Sequence, residues 1–227
     1  MDQMKHLIIF GNGQIADIIF DYFSKMSNIQ VDGFCVHDKF KKKNKYRGIP
    51  LIKISDLKKN YPPKKFLVHV ALSYSDNNRT RMNVFNQIKK MGYKFANYID
   101  QNHKISGNVK IGQNVVILDG NSIQPYSKIS DNVYIWSGSI IGHHSLIKSH
   151  AWITSGANIG GNSEIGERSF IGLNATVGNM VKVGSDCFIG ANTLTTKNLK
   201  NKKVCIESDT KLFSSNIDDF KRLTNFK

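Results

Sequence analysis

One repeat limits what this chain can fold into: every sixth residue from Ile105 to Ile189 is isoleucine or valine. The fifth residue of nearly every hexad is small or β-branched, and only Asn121 fits this rule poorly. A period of six matches neither the turn of an α-helix nor the alternation of a half-buried strand. It is the hexapeptide form of the parallel β-helix repeat, so residues 105–194 are predicted to form one prism.

The hexad also predicts how the prism is built. Each hexad supplies a short strand and a corner, and three hexads close one triangular coil of eighteen residues. The inward aliphatic residues of successive coils then stack at about 4.8 Å. Glycine at the second or third hexad position and asparagine at the fourth supply the permissive backbone that corners need. The fifteen hexads therefore predict five coils, whose handedness the repeat alone does not give.

An α/β unit is predicted ahead of the repeat. Residues 5–10 form a buried strand, the Gly11-Asn12-Gly13 turn follows, and residues 15–26 form a helix. Residues 29–36 form a second strand, after which Asp38 stands where a ribose hydroxyl is bound in dinucleotide folds. This order is that of the first unit of a Rossmann-like fold. The same glycine turn also occurs for tight geometry alone, and that alternative stays open.

The α/β unit is too short for a hydride-transfer enzyme. Its remaining elements are a strand at 66–72, a helix at 77–91 and a short strand at 94–98. With boundaries at 1–104, the unit has roughly half the size of a full dinucleotide-binding domain. No second half remains to hold a nicotinamide.

The last segment, 195–227, is predicted to cap the prism. It holds a final short strand at Val204–Ile206 and a helix at 214–223. An uncapped end of a β-helix would expose backbone groups and apolar side chains to water.

The chain carries a net charge of +15, and most of it lies before residue 105, with a dense basic run from Lys39 to Arg47. The repeat itself holds equal numbers of acidic and basic residues. The basic run is either a solvated surface or an attractor for a phosphorylated small molecule. Nucleic acid is disfavoured as a partner, because no recognised binding motif is present.

The expected cellular location of the protein rests on features that the sequence does not contain. No apolar run is long enough for a membrane span, and the N-terminus lacks the layout of a signal peptide. The three cysteines are scattered without disulfide or metal spacing. We therefore expect a cytoplasmic protein.

Histidines supply the candidate chemistry in the prism. His143 and His144 occupy the third and fourth positions of their hexad, at a corner where side chains point outward. Gly161 follows His143 by one coil, about 5 Å along the axis. A histidine base beside an open backbone N–H suits acyl transfer: the base takes the proton of the nucleophile, and the N–H stabilises the oxyanion. Ordinary surface histidines are the alternative.

The order of parts resembles a known family. GNGQIADIIFDYF, then ALSYSDNNRTRMNVF, then NYIDQNHKIS and the hexads look like the bacterial sugar acyltransferases of the sialic-acid O-acetyltransferase and bacillosamine N-acetyltransferase type. The resemblance covers residues 5–212, and its most specific piece is SIIGHHS with IGGN one coil later. It implies a left-handed β-helix, a homotrimer with active sites between subunits, acetyl-CoA along the later coils and a nucleotide-linked amino sugar on the N-terminal domain.

The resemblance also implies roles for individual residues. It makes His143 the catalytic base and Gly161 the donor of the oxyanion N–H. The implied contacts to CoA are Gly161, Asn162, Ala191 and Lys211. The implied contacts to the nucleotide sugar are Gly11, Asn12, Gly13, Asp38, Arg81 and His144.

This sequence departs from the family pattern in three places. His144 stands where an acidic residue usually orients the catalytic histidine, and Trp152 replaces a second histidine, with His150 two residues earlier. Ser208-Asp209-Thr210-Lys211 replaces the customary Gly-x-Pro-Ala-Lys. The base could therefore be weaker or oriented by a backbone carbonyl, and the acyl group could differ from acetyl.

Three functions are compatible with the sequence. The first is CoA-dependent N-acylation of a nucleotide-linked amino sugar for surface glycan assembly, which a histidine without an acidic partner could support because an amine is a good nucleophile. The second is O-acylation of a sugar hydroxyl, which needs a stronger base. The third is a non-catalytic scaffold or a carbonic-anhydrase-like metal site. Adjacent His143 and His144 are expected to diverge at a corner, which disfavours the metal site.

Overall fold

The computed structural model describes residues 4–103, 105–208, 214 and 216–224. An α/β unit comes first, with β1 (Lys5–Phe10), α1 (Gln14–Ser24), β2 (Ile29–Val36), β3 (Lys45–Tyr46), β4 (Ile49–Lys53), α2 (Leu57–Asn60), β5 (Phe66–Val70) and α3 (Arg79–Lys90). Its sheet has the order β3-β4-β2-β1-β5. All neighbours pair in parallel except β3 with β4. The predicted strands at 5–10 and 29–36 are confirmed.

The β3–β4 hairpin was not predicted. Its first strand lies within the basic run from Lys39 to Arg47, whose polar residues hide any strand pattern. Arg47 and Gly48 both have positive φ, at 48° and 83°, as the tight turns that join two antiparallel strands require. The predicted strand at 94–98 is not formed as one element: Phe95 makes an isolated bridge to Val68, and a separate strand begins at Tyr98.

The repeat folds into a three-sided parallel β-helix made of two-residue strands. The first face holds β7 (Lys110–Ile111), β10 (Lys128–Ile129), β13 (Leu146–Ile147), β16 (Glu164–Ile165) and β19 (Lys182–Val183). The second holds β6 (Tyr98–Ile99), β8 (Val116–Ile117), β11 (Tyr134–Ile135), β14 (Trp152–Ile153), β17 (Phe170–Ile171), β20 (Phe188–Ile189) and β22 (Val204–Cys205). The third holds β9 (Ser122–Ile123), β12 (Ile140–Ile141), β15 (Asn158–Ile159), β18 (Thr176–Val177) and β21 (Leu194–Thr195). These stacked sheets fit a left-handed β-helix.

The interior of the prism follows the hexad. The repeating aliphatic residues are buried in one cluster with the small residues of the fifth position. Asn121 fits after all, because its Oδ1 accepts the Ser139 N–H at 2.7 Å and its Nδ2 donates to the Leu118 carbonyl at 2.8 Å. A buried polar side chain is tolerated where both ends are hydrogen-bonded.

The corners differ from the sequence-based expectation in one respect. Positive φ occurs at the fourth position of every hexad from Asn114 to Asn192, whichever residue stands there. The glycines of the second position have ordinary φ, but most of them, unlike Gly178, meet the next coil closely. A Cβ on Gly142, for example, would lie 2.5 Å from the Gly161 nitrogen. These glycines therefore serve close packing of coils rather than backbone freedom.

The second face extends beyond the predicted limits of the repeat. β6 pairs with β8 ahead of residue 105, and β22 pairs with β20 beyond residue 194. The final helix, α4 (Ile217–Thr224), is present near its predicted place. No helix within the described part of the chain is long and apolar enough to cross a membrane.

Candidate functional site

A groove of about 410 Å³ runs along one corner of the β-helix, beside the third face. Gln124, His143, Asn158, Gly161 and Asn179 are among the residues that line it. Gln124, His143, Gly161 and Asn179 lie on consecutive coils around this corner because the repeat returns every eighteen residues. The groove is open to solvent, and His143 is exposed within it.

The His143 ring lies directly over Gly161. A Cβ added to Gly161 would lie 2.7 Å from His143 Nε2 and 2.8 Å from Cε1. Only glycine therefore leaves room for the ring in this position. The structure thus brings together the two residues that sequence reasoning paired, with Nε2 toward the next coil.

The backbone N–H of Gly161 is not open in this structure. It donates to Asn179 Oδ1 at 2.8 Å, so the N–H expected to bind the oxyanion is already engaged by a side chain. Because Asn179 Oδ1 accepts this bond, the Nδ2 group at the other end of the carboxamide is not engaged by Gly161. Among the described residues, that NH₂ group has no hydrogen-bond partner. Asn179 was missed because nothing in one sequence distinguishes it from other corner asparagines.

Gln124 repeats the arrangement one coil before His143. Its Oε1 accepts the His143 backbone N–H at 2.9 Å. The side-chain Nε2 of Gln124 likewise has no partner within the described part of the chain. Gln124 and Asn179 both line the groove, and each therefore keeps a carboxamide NH₂ group without a partner among the described residues.

His143 and His144 do not diverge. Their Nδ1 atoms are 3.1 Å apart, and the His144 ring stacks on Tyr126 with centroids 4.7 Å apart. The expectation that adjacent corner histidines point apart is wrong, because the positive φ of His144 (57°) turns its side chain back along the corner. His144 thus lies beside the candidate base.

His150 lies at another corner and is buried. Its Nδ1 accepts a hydrogen bond from Asn132 Nδ2 at 2.8 Å, and burial lowers its pKa to about 4. It cannot join His143 and His144 around one ion. Across the described residues, no group of three or more histidine, cysteine or acidic side chains could hold a metal.

A second cavity of about 640 Å³ lies at the carboxyl ends of β1 and β5. The predicted Gly11, Asn12 and Gly13 line it, together with Tyr74 and Thr80, which sequence reasoning missed. Gly11 has φ of +135°, and a Cβ there would lie 2.5 Å from the Ala71 carbonyl oxygen. Gly13 precedes α1, whose first residues also line the cavity and which has no side-chain cap, and such a helix N-terminus favours anions.

Asp38 does not line this cavity. It lies in the neighbouring depression with Ser55, and its Oδ1 accepts the Ser55 backbone N–H at 3.4 Å. The hydrogen bond to Ser55 holds the pKa of Asp38 below its usual value. His37 lines both spaces, whereas Asp38 lines only the depression.

Arg81 is fully buried, so its expected contact with a nucleotide is wrong. Its guanidinium donates to the carbonyls of His150, at 2.8 Å, and Asn132, and to Asn78 Oδ1 at 2.7 Å. It also lies 4.8 Å from the Tyr134 ring centroid. Burial lowers its pKa to about 10, which leaves it charged at neutral pH. Arg81 therefore anchors α3 to the β-helix.

The residues expected to contact CoA are scattered in one chain. Asn162 is exposed and follows Gly161 at the same corner, whereas Ala191 is exposed at a different corner of the prism. Lys211 lies outside the described residues.

The fold matches that of several solved structures, including acetyltransferase domains. No protein-family model and no curated protein matches the sequence. Among solved structures, the acetyltransferase domain of PglB from Neisseria gonorrhoeae is 24% identical, with a TM-score of 0.78, covering 89% of this chain and 97% of that one. The same domain with acetyl-CoA gives 23% identity and a TM-score of 0.79, covering 90% and 97%.

A third structure is PerB from Caulobacter crescentus in complex with CoA and GDP-perosamine. It is 21% identical, with a TM-score of 0.78, and covers 89% of this chain and 94% of that one. The alignments include most of the α/β unit as well as the β-helix. The chain therefore has the fold of these solved structures, as its resemblance to the sugar acyltransferases predicted.

Proposed function

We propose that this protein is a CoA-dependent N-acyltransferase that acylates the amino group of a nucleotide-linked amino sugar. The observation that carries the proposal is the His143 ring over Gly161 in an open groove. The fold similarity to PglB and PerB, which were solved with acetyl-CoA or with CoA and GDP-perosamine, supports it. Acetyl is the acyl group we test first.

His143 Nε2 acts as the general base. The sugar amine attacks the thioester carbonyl carbon, forming the N–C bond while Nε2 takes a proton from the nitrogen. Collapse of the tetrahedral intermediate breaks the C–S bond. The proton on Nε2 then passes to the departing thiolate of CoA. An amine needs less activation than a hydroxyl, so N-acylation suits a base without a carboxylate partner.

Asn179 stabilises the oxyanion. Its NH₂ group is a donor in the groove, and the Gly161 N–H fixes the carboxamide by holding Oδ1. A preorganised donor of this kind typically contributes about 10²–10³ in rate. Gly161 thus acts as the residue that orients the donor and leaves space for the base.

The second cavity binds the nucleotide part of the acceptor. Its glycine turn and the uncapped start of α1 suit a diphosphate, and the net charge of +15 favours encounter with an anionic ligand. Gly11, Asn12 and Gly13 make these contacts, with His37 in the place first assigned to Asp38.

A neighbouring copy completes the site. The third face exposes Ile140 and Leu194 beside the groove, at 41% and 64% of their surface. We propose a homotrimer in which Ala191 of a neighbouring copy approaches the groove and CoA lies between the two copies. Molecular mass in solution tests this arrangement, and a monomer that is fully active would refute it.

The function is tested by thiol release from acetyl-CoA with UDP-, dTDP- and GDP-linked amino sugars, each paired with its hydroxyl counterpart. We expect release with one amino sugar and none with its counterpart. Release with the hydroxyl sugar alone would establish O-acylation instead. If no thiol is released and CoA does not bind, the proposal that the protein is an acyltransferase is refuted.

A further inference from the structure

His144 is the unusual neighbour of the candidate base. Its Nδ1 lies 3.1 Å from His143 Nδ1, and the two rings are nearly perpendicular, at 84°. In that edge geometry a proton on one nitrogen can point at the lone pair of the other. Each nitrogen of a neutral imidazole is either a donor or an acceptor. A hydrogen bond between the two Nδ1 atoms therefore requires one proton, carried by one ring and accepted by the other.

Either His143 Nδ1 or His144 Nδ1 can carry that proton. If it is bound to His144, then His143 carries its own proton on Nε2 and cannot act as a base at the groove. If it is bound to His143, the Nε2 lone pair of His143 is free and directed toward Gly161. His144 is then the acceptor and carries its proton on Nε2. Only this second arrangement supports proton abstraction.

We propose that His144 is a positioning residue: its Nδ1 accepts the Nδ1–H of His143 and thereby fixes the tautomer and ring orientation of the base. The inference rests on the proposed function of His143 and explains what orients that residue without a carboxylate. When Nε2 takes the substrate proton, His143 becomes a cation and its bond to His144 becomes charge-assisted and stronger.

Tyr126 holds His144 in place. Tyr126 and His144 occupy the same hexad position on consecutive coils, and both have positive φ, at 64° and 57°. Their rings stack with an interplanar angle of 25°. The stack covers one face of the His144 ring and leaves its edge toward His143. The stacking of consecutive coils thus holds Tyr126 beneath the His144 ring.

The tautomers can be measured without substrate. We expect ¹⁵N spectra of the imidazoles at pH 8.5 to show His143 protonated at Nδ1 and His144 at Nε2, with assignment by single His143→Gln and His144→Phe variants. In His144→Phe, His143 should lose its pure Nδ1–H form. A wild-type His143 protonated at Nε2 would overturn the proposal, whatever the enzyme proves to acylate.

Kinetics give an independent test. His144→Phe keeps a ring on Tyr126 and removes the acceptor, so kcat should fall about tenfold to a hundredfold, less than for loss of the base itself. The KM for acetyl-CoA should change less than about threefold. His144→Glu restores an acceptor and should recover kcat to within about threefold of wild type.

The control is His6→Phe, which changes a part-exposed histidine of β1 that is paired with Asp32 and should leave kcat unchanged. Unchanged kcat in His144→Phe would overturn the proposal. A His144→Glu variant as slow as a folded His144→Phe would also overturn it. If wild type itself releases no thiol, the proposed function fails, while the spectra still decide the pairing of the two rings.

Discussion

The backbone N–H of Gly161 donates to the side-chain Oδ1 of Asn179 one coil further, at 2.8 Å. This bond fixes the orientation of the carboxamide, because Oδ1 is engaged and the NH₂ group is left as the free end. A neutral side chain held in this way needs no reorganisation when charge develops on the thioester oxygen. In the proposed mechanism, Asn179 takes the role of oxyanion donor that the resemblance implied for Gly161.

Asn179→Asp tests the oxyanion donor. The carboxylate can still accept the Gly161 N–H, but it offers no donor and adds negative charge beside the oxyanion. We expect kcat to fall about 100-fold or more, with an unchanged melting temperature. Asn174→Asp introduces the same change at a different corner and should have little effect. An Asn179→Asp enzyme within threefold of wild type would show that the donor lies elsewhere.

Gly161→Ala tests the space beneath the base. The new Cβ would lie 2.7 Å from His143 Nε2, so the ring must move out of its position. We expect kcat to fall about 100-fold while circular dichroism and CoA binding are retained. Gly107→Ala, where a Cβ meets nothing within 4 Å, is the matched control. Full activity of Gly161→Ala would mean that the ring position seen here is not the working one.

Arg81→Met tests the anchor of α3. The substitution leaves the carbonyls of Asn132 and His150 without their donor in a buried interface, so the free energy of unfolding should drop by about 2–4 kcal/mol. Arg79→Ala, on the same helix, removes a partly exposed bridge to Asp186 and should cost about 1 kcal/mol or less. Equal losses in urea denaturation would contradict the buried role of Arg81.

His150→Gln tests the dependence of stability on pH. Burial lowers the pKa of His150 to about 4, and burial does the same for His69. Arg81, Arg168 and Lys89 also lower the pKa of His150, while Asp131 opposes them. An unfolded histidine has a pKa of about 6.5, so the unfolded chain binds more protons between pH 6.5 and 4. The stabilisation is therefore complete above pH 6.5 and is lost as pH falls toward 4.

We expect the free energy of unfolding to decrease between pH 6.5 and 4.5, by up to about 1.4 kcal/mol per pH unit for each histidine. His150→Gln should remove the contribution of one titrating histidine, so the free energy of unfolding should change less steeply with pH. Urea denaturation across that range measures both slopes. Identical slopes for wild type and variant would show that His150 is protonated in the folded protein.

The hexad predicted the β-helix because it places one aliphatic residue inward in every six. This period matches neither an α-helix nor an alternating strand. It also placed His143 one coil from Gly161, since stacking converts a spacing of eighteen residues into a contact. Side-chain direction could not be predicted in the same way. Positive φ at the fourth hexad position turns His144 toward His143. The sequence does not reveal this backbone conformation, because histidine at that position gives no local signal for positive φ.

The α/β unit shows the same limit. Gly11 was predictable because its backbone meets Ala71 at a turn that only glycine permits. Arg81 was not, because a charged residue near the start of an amphipathic helix is normally exposed. Its burial depends on carbonyls about fifty to seventy positions later in the chain, and a local pattern holds no information on them.

The most direct test of the account compares wild type with His143→Ala in thiol release from acetyl-CoA with the accepted amino sugar. We predict a loss of kcat of about 100-fold or more, with unchanged melting temperature and CoA affinity. Turnover of His143→Ala close to that of wild type would contradict the central claim that His143 is the base.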